Sequence, residues 1–399
     1  MSQPQPTATF PVERTCPFDP ATEYTRRRQE DPVSRIRLWN GQDAWLVTRY
    51  DDVRSVLRDP DLSADMSSPG FPLIRPAMQR ERAVRTFIRM DPPEHTYFRR
   101  MLTREFMVKR VDAMRPMIER VVDERLDDLA SRRPPADLVE VLALPVPSMV
   151  ICDLLGVPYA DHAFFQERSQ VVLRRDCTPE QARATSDELR DYLGRLVAAN
   201  EEHPGDNLIG RLVTDRERPG ELTREDVVTM ALLLLVAGHE TTANMIGLST
   251  LALLENPAEL QRLRANPSLV PAAVEELLRY CTIVQFGLPR ATLRDVRIGG
   301  QTIPAGDGVI ALLSTANRDP GEFDDPTRLD LGRQGRRHIA FGYGVHQCLG
   351  QTLARAELQI VLTRLFDRFG TLRLAVPADA VPLRHDMIIF GTHELPVTW

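Results

Sequence analysis

Cys348 lies in a setting whose residue types suit the binding of a large, flat metal cofactor. Its segment, residues 341–350, reads Phe-Gly-Tyr-Gly-Val-His-Gln-Cys-Leu-Gly, and a helical pattern begins directly after it. Glycine has no Cβ, so these glycines allow a tight loop and a close approach of the backbone to a ring. The free N–H groups at the start of the helix would stabilise a thiolate, and we expect the amides of Leu349 and Gly350 to donate to the sulfur. A cysteine that only fills a core needs none of these features.

A second chemical segment, Ala-Gly-His-Glu-Thr-Thr at residues 237–242, interrupts a strongly apolar helical pattern. The pattern predicts one helix from Thr223 to about Leu254 whose apolar centre is buried in a large protein. Glu240 in such a helix needs a partner or water. The segment indicates a local kink, room for a diatomic ligand and a path for protons, or else a polar notch that only stabilises the helix. It lacks the second histidine of the zinc-binding pattern HExxH, so we reject a zinc protease.

Length and composition limit the other possibilities. The 399 residues carry a formal net charge of -6, which argues against nucleic acid as the main partner. Residues 1–10 lack the apolar core of a signal peptide, and the longest apolar run, residues 230–237, is far shorter than the roughly 20 residues of a membrane span. Five scattered cysteines predict no disulfide framework. We expect one cytoplasmic domain over residues 1–399, with residues 1–11 flexible and no membrane partner.

The periodicity of apolar residues predicts a mainly α protein with small β-sheets. Residues 33–38 and 45–48 have the strand pattern around an Asn-Gly turn, and residues 290–313 contain further short strand-like segments. Helical patterns cover residues 52–131 with a break at 68–76, and then residues 138–155, 160–174, 179–202, 223–254, 271–280 and 351–369.

The segment around Cys348 resembles the haem-binding loop of the cytochrome P450 family, Phe-Gly-x-Gly-x-His-x-Cys-x-Gly, at every fixed position. The resemblance covers nearly the whole chain and is greatest to soluble actinomycete-type bacterial members. It implies a P450-type domain with haem b between the long central helix and the helix after the cysteine, and Cys348 as the axial ligand of the iron. It also implies contacts with the cofactor by His95, Arg99, Ala237, Gly238, Arg290, Phe341, Gly342, His346, Cys348 and Gly350.

Two further groups of residues take their roles from this resemblance. Glu240 and Thr241 match the acid–alcohol pair that delivers protons in the oxygen-activation groove of the family. Glu276 and Arg279 share one helix face at i and i+3, and in the family such a pair is joined by an arginine like Arg328 to brace the cysteine loop. The spacing alone says little, because four other Glu/Arg pairs in the chain share it and such pairs are usually solvated.

The resemblance implies an oxygen-dependent monooxygenase that hydroxylates a bulky apolar small molecule of polyketide, macrolide, terpenoid or drug-like type. The pocket residues expected from family positions are mainly aliphatic: Ile74, Phe87, Leu233, Val236, Val284, Phe286, Ile388 and Ile389. The chain has no flavin or nicotinamide motif, so we expect electrons from ferredoxin and ferredoxin reductase. The residues that could form a basic docking face, or be ordinary surface residues, are Arg100, Arg104, Lys109, Arg110, Arg333, Arg336, Arg337 and Arg355.

Two alternatives stay open from the sequence. The same fold could carry out epoxidation, phenol coupling or peroxide-driven oxidation, although peroxide-driven relatives usually alter the acid–alcohol pair, which is intact here. A haem-binding sensor without turnover would keep Cys348 but would have no need of Glu240 and Thr241. We expect a monomer in either case.

Overall fold

The computed structural model describes residues 9–81, 86–333 and 337–399, which form a mainly helical structure with three small sheets. The α-helices are α1 Thr22–Glu30, α2 Tyr50–Arg58, α3 Met78–Glu81, α4 Glu94–Thr103, α5 Val108–Ser131, α6 Pro145–Leu155, α7 His162–Leu173, α8 Pro179–Glu202, α9 Leu208–Leu212, α10 Arg224–Glu255, α11 Pro257–Ala265, α12 Val270–Cys281, α13 Leu313–Ala316 and α14 Gln351–Arg368. The strands are β1 Thr9–Phe10, β2 Val33–Leu38, β3 Asp43–Val47, β4 Leu62–Ser63, β5 Ala136–Asp137, β6 Leu288–Thr292, β7 Val296–Ile298, β8 Gln301–Ile303, β9 Gly308–Ala311, β10 Arg373–Leu374 and β11 Pro396–Thr398. The predicted fold class is confirmed.

The longest helix, α10, runs through the core and starts where the sequence predicts. Thr223 and Asp226 form a capping box, in which each side chain accepts a hydrogen bond from the backbone N–H of the other. By length and composition α10 could span a membrane, but 67% of its most apolar window is buried inside the protein, as in a core helix. The helix continues without interruption through residues 237–242, so the local kink predicted there does not break it.

Four helices surround α10 and bring the cysteine loop next to it. α10 packs against α6, α8, α12 and α14. The largest cluster of buried apolar side chains joins these helices with α5, and burial of such surface contributes about 25 cal/mol per Å². Because α14 also packs against α5 and α12, the loop that precedes it is held at the junction of three helices.

The largest sheet positions Arg290. Its strand order is β1-β2-β3-β9-β6-β4, with β3 parallel to β9 and antiparallel to β2. The turn between β2 and β3 contains Asn40 and Gly41, as predicted, and Gly41 has a φ of +82°. Arg290 lies on β6, where it pairs with Val309 of β9. The chain after α12 is therefore fixed by strand pairing before it reaches the cysteine loop.

Candidate active site

The loop before α14 is closed by a backbone hydrogen bond that holds Cys348 in place. The Cys348 N–H donates to the carbonyl of Phe341 at 2.8 Å. Gly342 and Gly344 have φ values of +73° and +74°, in the left-handed region that favours glycine. A Cβ on Gly344 would lie 2.6 Å from the carbonyl oxygen of Leu57, so the loop packs backbone to backbone against α2. Glycine is required at this position by both its φ value and this close approach.

The sulfur of Cys348 lies at the N-terminus of α14. Burial raises the pKa of the thiol, whereas the Gly350 amide, the charges of Arg99 and Arg355, and the Gln351 amide lower it. The predicted donor Gly350 is confirmed, and Gln351 takes the place of the predicted Leu349, because α14 starts at Gln351 and Gly350 is its N-cap. A cation bound to the sulfur would add to the groups that favour the thiolate.

A mostly buried group of basic side chains lies beside the loop: His95 and Arg99 on α4, Arg290 on β6 and His346 in the loop itself. The ring centroids of His95 and His346 are 4.2 Å apart. Both ring nitrogens of His95 and Nδ1 of His346 are buried, and they have no hydrogen-bond partner among the described residues. Burial, and then the charge of Arg290, lowers the pKa of His346 to about 3. This arrangement indicates a binding site for an anion.

Glu276 and Arg279 form the predicted buried ion pair on α12, with two hydrogen bonds of 2.7 Å. Arg333, not Arg328, joins this pair: its Nε lies 3.1 Å from both carboxylate oxygens of Glu276. The Arg328 side chain is 65% exposed and lies 3.6 Å from Asp330, so the prediction for it is wrong. Arg328 contributes only its carbonyl oxygen, which accepts from Arg279 and Arg333. We call Glu276, Arg279 and Arg333 the brace, since they tie α12 to the chain that enters the cysteine loop.

A second buried ion cluster lies next to the brace. Glu275 accepts two hydrogen bonds from Arg355, at 2.6 and 3.0 Å, and lies 3.1 Å from Nε2 of His338. Burial raises the pKa of Glu275, but the hydrogen bonds from His338 and Arg355 lower it by more than burial raises it. The resulting pKa is about 2. The Arg355 guanidinium also lies 4.7 Å from the centroid of the Phe341 ring. Arg355 and Arg333 thus bind buried carboxylates, and we remove both from the predicted docking face.

The polar segment of α10 has two different faces. Ala237 is exposed and Thr241 is partly exposed, although most of the helix around them is buried. The Thr241 hydroxyl donates to the Ala237 carbonyl one turn earlier, at 2.7 Å. A Cβ on Gly238 would instead lie 2.9 Å from Ile151 of α6. Gly238 therefore allows α10 and α6 to pack closely, and its place beside the cofactor stays a prediction.

Glu240 is fully buried, and its partner is Arg384, which the sequence analysis did not single out. Nη1 of Arg384 lies 2.9 Å from Oε2 of Glu240 and 3.2 Å from Oδ1 of Asn244. Arg384 belongs to a turn, residues 383–392, that packs on α10 so tightly that a Cβ on Gly391 would overlap Asn244. Burial of Glu240 signalled that some partner must exist. Local spacing could not identify it, because the two residues are 144 positions apart.

Comparison with known proteins identifies the family of this chain. Residues 180–396 match the family model Cytochrome P450. The chain is 54% identical over 399 residues to cytochrome P450-SU2 of Streptomyces griseolus. The match covers 99% of this chain and 98% of that protein. The chain belongs to the cytochrome P450 family. The vitamin D3 dihydroxylase of Streptomyces griseolus is 47% identical to this P450, over 98% of this chain and 96% of that protein.

Solved structures of other P450 enzymes have the same fold as this chain. The crystal structure of mycinamicin VIII C21 methyl hydroxylase from Micromonospora griseorubida, bound to mycinamicin VIII, matches this P450 with a TM-score of 0.94. The two chains are 44% identical, and the match covers 98% of this chain and 100% of that one. Relatives of this P450 are named as hydroxylases and monooxygenases, and the chain is a P450 monooxygenase.

The site of this P450 fits the haem that the family implies. Haem presents one iron atom and two carboxylates. The chain offers one sulfur at a helix N-terminus and, beside it, buried ring nitrogens that lack partners within the described part of the chain. Cys348 would hold the iron, and His95, Arg99, Arg290 and His346 would hold the propionates. When bound, haem supplies an iron atom that binds and activates dioxygen.

Five of the eight predicted pocket residues of this P450 present partly exposed apolar surface: Leu233, Val236, Val284, Ile388 and Ile389. Val284 and Ile389 face each other in an isolated β-bridge. The Gln285 N–H also donates to the Ile388 carbonyl at 3.3 Å, so the chain after α12 and the chain near the C-terminus form one wall. These five residues stay as the proposed lining of the substrate pocket.

The other three predicted pocket residues are buried. Phe87 packs near the His95 ring and, with Leu233, lines a small cavity beside α10. Ile74 and Phe286 lie in a core cluster under the largest sheet, where the Phe286 ring centroid is 6.3 Å from that of Phe10. This packing favours a core role for Ile74 and Phe286, and we do not include them in the pocket.

Proposed function

We propose that this monooxygenase hydroxylates a bulky apolar small molecule of natural-product or drug-like type, with haem b as its cofactor. Electrons come from ferredoxin and ferredoxin reductase, and the enzyme works as a monomer in the cytoplasm. The observation that carries the proposal is the buried basic group beside a cysteine at a helix N-terminus. This pair of features suits a dicarboxylate cofactor with a metal at its centre.

The residues of α10 supply protons in this proposal. Glu240 is the acid, and Arg384 keeps its carboxylate within the core. The Thr241 hydroxyl donates to the Ala237 carbonyl in the structure, so it would have to rotate away from that carbonyl before it could donate to another partner. Glu240 is fully buried, which strengthens its hydrogen bond with Arg384, whereas Thr241 is partly exposed.

The pocket lining supports an apolar substrate. Leu233, Val236, Val284, Ile388 and Ile389 are all aliphatic, so they favour contact with hydrocarbon surface. Two relatives, at 47% and 44% identity, are named for the hydroxylation of vitamin D3 and of mycinamicin VIII. Both names support a bulky organic substrate and a hydroxylation for this chain.

An exposed surface next to the cysteine loop supports docking of an electron-transfer protein. We define the docking patch as five exposed residues that combine apolar and basic side chains: Arg100, Arg104, Met107, Val108 and Lys109. The patch adjoins the loop, because a Cβ on Gly350 would lie 4.0 Å from the Phe106 ring. An apolar centre with a basic rim suits a small acidic partner such as ferredoxin.

The remaining predicted docking residues differ in their surroundings. Arg110 lies 3.5 Å from Glu105, which is mostly buried. Arg337 is 64% exposed and lies 3.2 Å from Glu322. Arg336 lies outside the described residues. Arg110 and Arg337 therefore carry partly neutralised charge, and the docking patch keeps three exposed basic residues, Arg100, Arg104 and Lys109.

The proposal is tested by the absorption spectrum of the reduced protein saturated with carbon monoxide. Thiolate ligation of haem gives a strongly red-shifted Soret band, and histidine ligation does not. Cys348→Ser should abolish that band. Cys152→Ser, a change at a buried cysteine of α6, should leave it in place and serves as the control. A wild-type protein without the shifted band would overturn the proposal.

The substrate class is tested separately on the haem-loaded protein. Apolar natural products should shift the spin state of the iron on binding, and one of them should gain one atom of isotope-labelled dioxygen when ferredoxin, ferredoxin reductase and reduced nicotinamide are added. Binding without any labelled product would contradict the monooxygenation of these compounds. Preferential binding of charged or sugar-like compounds would contradict the apolar pocket.

A further inference from the structure

His239 is a fully buried titratable residue to which the proposed function gives no role. It lies on α10 directly before Glu240, and its ring contacts the Phe165 ring of α7 edge to face, with centroids 5.6 Å apart. Its Nδ1 lies 2.6 Å from the carbonyl oxygen of Leu235. A carbonyl oxygen only accepts hydrogen bonds, so Nδ1 must carry a proton. In the neutral ring, Nε2 therefore holds a lone pair.

That lone pair faces the carboxylate of Glu240. Nε2 of His239 lies 3.8 Å from Oε1 of Glu240, and neither atom has a hydrogen-bond partner within the described ranges of the chain. The other carboxylate oxygen is held by Arg384 at 2.9 Å. Two acceptors that face each other in a buried site repel, unless a proton or a single water lies between them. The geometry thus has a place for one mobile proton between His239 and Glu240.

The charges around this place are few. Burial lowers the pKa of His239 and outweighs the carboxylate of Glu240 and the hydrogen bond to the Leu235 carbonyl, which both raise it; the guanidinium of Arg384 also lowers it. These are the charged groups that act on His239 from its own helix and from the turn packed against it. The Phe165 side chain covers the ring from α7 and carries no charge.

We propose that His239 is a positioning residue that holds a proton on Nε2 and passes it to Oε1 of Glu240. The inference rests on the proposed function of this site as the proton source for oxygen activation. Glu240 starts as the carboxylate that Arg384 holds, and the N–H bond at Nε2 breaks as an O–H bond forms at Oε1. That O–H bond then breaks as the proton leaves towards the Thr241 side, so Glu240 is a carboxylate again and His239 is neutral until a proton from water restores the N–H bond at Nε2. The net effect is that Glu240 delivers one proton while its pairing with Arg384 is unchanged.

Two substitutions distinguish this role from a purely structural one. His239→Asn keeps a donor close to the position of Nδ1, and so keeps the bond to Leu235, but has no atom at the position of Nε2. His239→Gln places a polar atom close to the position of Nε2, but that atom does not titrate. The matched control is His162→Asn on α7, because His162 likewise has its Nδ1 2.8 Å from a backbone carbonyl, that of Tyr159.

The experiment uses the holoenzyme with a compound found by the spin-state screen. In both His239 variants the rate of product formation should fall about ten-fold, less than the roughly 100-fold or greater loss expected from removal of a general acid itself. The solvent deuterium isotope effect on that rate should increase, and the pH profile should lose one ionisation. The infrared band of the Glu240 carboxyl should shift in His239→Asn and be absent in a Glu240→Gln variant. His162→Asn should behave as the wild type in each measurement.

The outcomes separate this inference from the proposed function. A normal red-shifted carbon monoxide spectrum with unchanged isotope effect, pH profile and carboxyl band in both His239 variants overturns the relay and leaves the monooxygenase assignment intact. Loss of rate in His239→Asn with full recovery in His239→Gln also overturns it, because a group that does not titrate would then be sufficient. Absence of the shifted spectrum in the wild type overturns the proposed function itself.

Discussion

At the scale of single residues, the proposed delivery of protons depends on where the hydroxyl of Thr241 points. The hydroxyl donates to the Ala237 carbonyl at 2.7 Å, a bond within the helix that must open for any other partner. Such a bond is worth about 1 kcal/mol net, so its opening is a small cost. The same helix contains Thr250, whose hydroxyl makes the same type of bond to Ile246 at 2.9 Å but lies more than two turns further on.

Thr241→Ala should leave haem binding unchanged and divert most electrons into hydrogen peroxide, because no hydroxyl is left to guide protons to bound oxygen. The measurement is product formed and peroxide released per electron consumed. Thr241→Ser should restore much of the coupling, since it retains the hydroxyl. Thr250→Ala is the control for loss of a threonine from this helix and should stay coupled. Full coupling in Thr241→Ala would contradict the role of the pair.

Residues differ in how far their roles could be read from the sequence. Cys348 and the Glu240–Thr241 pair could be proposed as site residues, because each belongs to a contiguous segment whose residue types are unusual for a loop or a buried helix. Arg384 and Arg333 could not be found. Each binds a carboxylate far away in the chain, 144 and 57 positions distant, and the chain contains many other arginines.

At the scale of elements, the brace decides how α12 is joined to the cysteine loop. Glu276 is almost completely buried, and it accepts hydrogen bonds from Arg279, from Arg333 and from the Asp330 N–H. A buried carboxylate with this many donors is stable only while they remain. The Arg333 side chain is 14% exposed, which shows that it belongs to the buried cluster.

Arg333→Ala should destabilise the fold by about 2 kcal/mol, the usual contribution of a hydrogen bond to a charged group. It should also lower the fraction of protein that retains haem, because the segment leading to Cys348 loses its anchor. Arg328→Ala is the matched control: its side chain is 65% exposed, and exposed ion pairs contribute about 0–1 kcal/mol. Thermal unfolding and the ratio of Soret to protein absorbance measure the two effects. Equal losses in both variants would contradict the assignment of Arg333 to the brace.

The packing of the cysteine loop against α2 gives a second test at this scale. Gly344 and Gly300 have similar left-handed φ values, +74° and +84°, but a Cβ on Gly300 would meet nothing within 4 Å. Gly300→Ala therefore measures backbone strain alone, about 1–2 kcal/mol. Gly344→Ala adds a contact of 2.6 Å with the Leu57 carbonyl, so it should lower the melting temperature further and reduce haem binding. A Gly344→Ala variant no less stable than Gly300→Ala would show that the loop does not need this approach.

The positions of elements were easier to predict than their contacts. The apolar period and the capping box predict both ends of α10 to within a residue or two. The Asn-Gly turn predicts the positions of β2 and β3 along the chain. The packing of residues 383–392 on α10 could not be predicted, because this segment has little regular structure and its hydrogen bonds are to distant parts of the chain. The orientation of Gly238 towards α6 also depends on packing, which local sequence does not specify.

At the scale of the whole molecule, the distribution of charge determines which surface an electron-transfer protein can approach. The chain is acidic overall, with a formal net charge of -6, so a basic surface must be local. Among the predicted docking residues, Arg333 and Arg355 are bound to Glu276 and Glu275 inside the protein. Their charges are neutralised at close range and contribute little to long-range attraction. The docking patch around Met107 and Val108 is a basic surface that stays exposed beside the cysteine loop.

Charge reversal in the docking patch, Arg104→Glu combined with Lys109→Glu, should slow the first electron transfer from an acidic ferredoxin by about ten-fold at low salt. Electrostatic attraction raises association rates in a way that added salt screens, with a Debye length of about 10 Å at 0.1 M. The difference between wild type and variant should therefore shrink as salt is added. Arg183→Glu is the control, since Arg183 is 68% exposed on α8, a helix that packs against α7 and α10. Stopped-flow reduction under carbon monoxide measures the rate, and an unchanged rate and salt dependence in the double variant would show that the partner docks elsewhere.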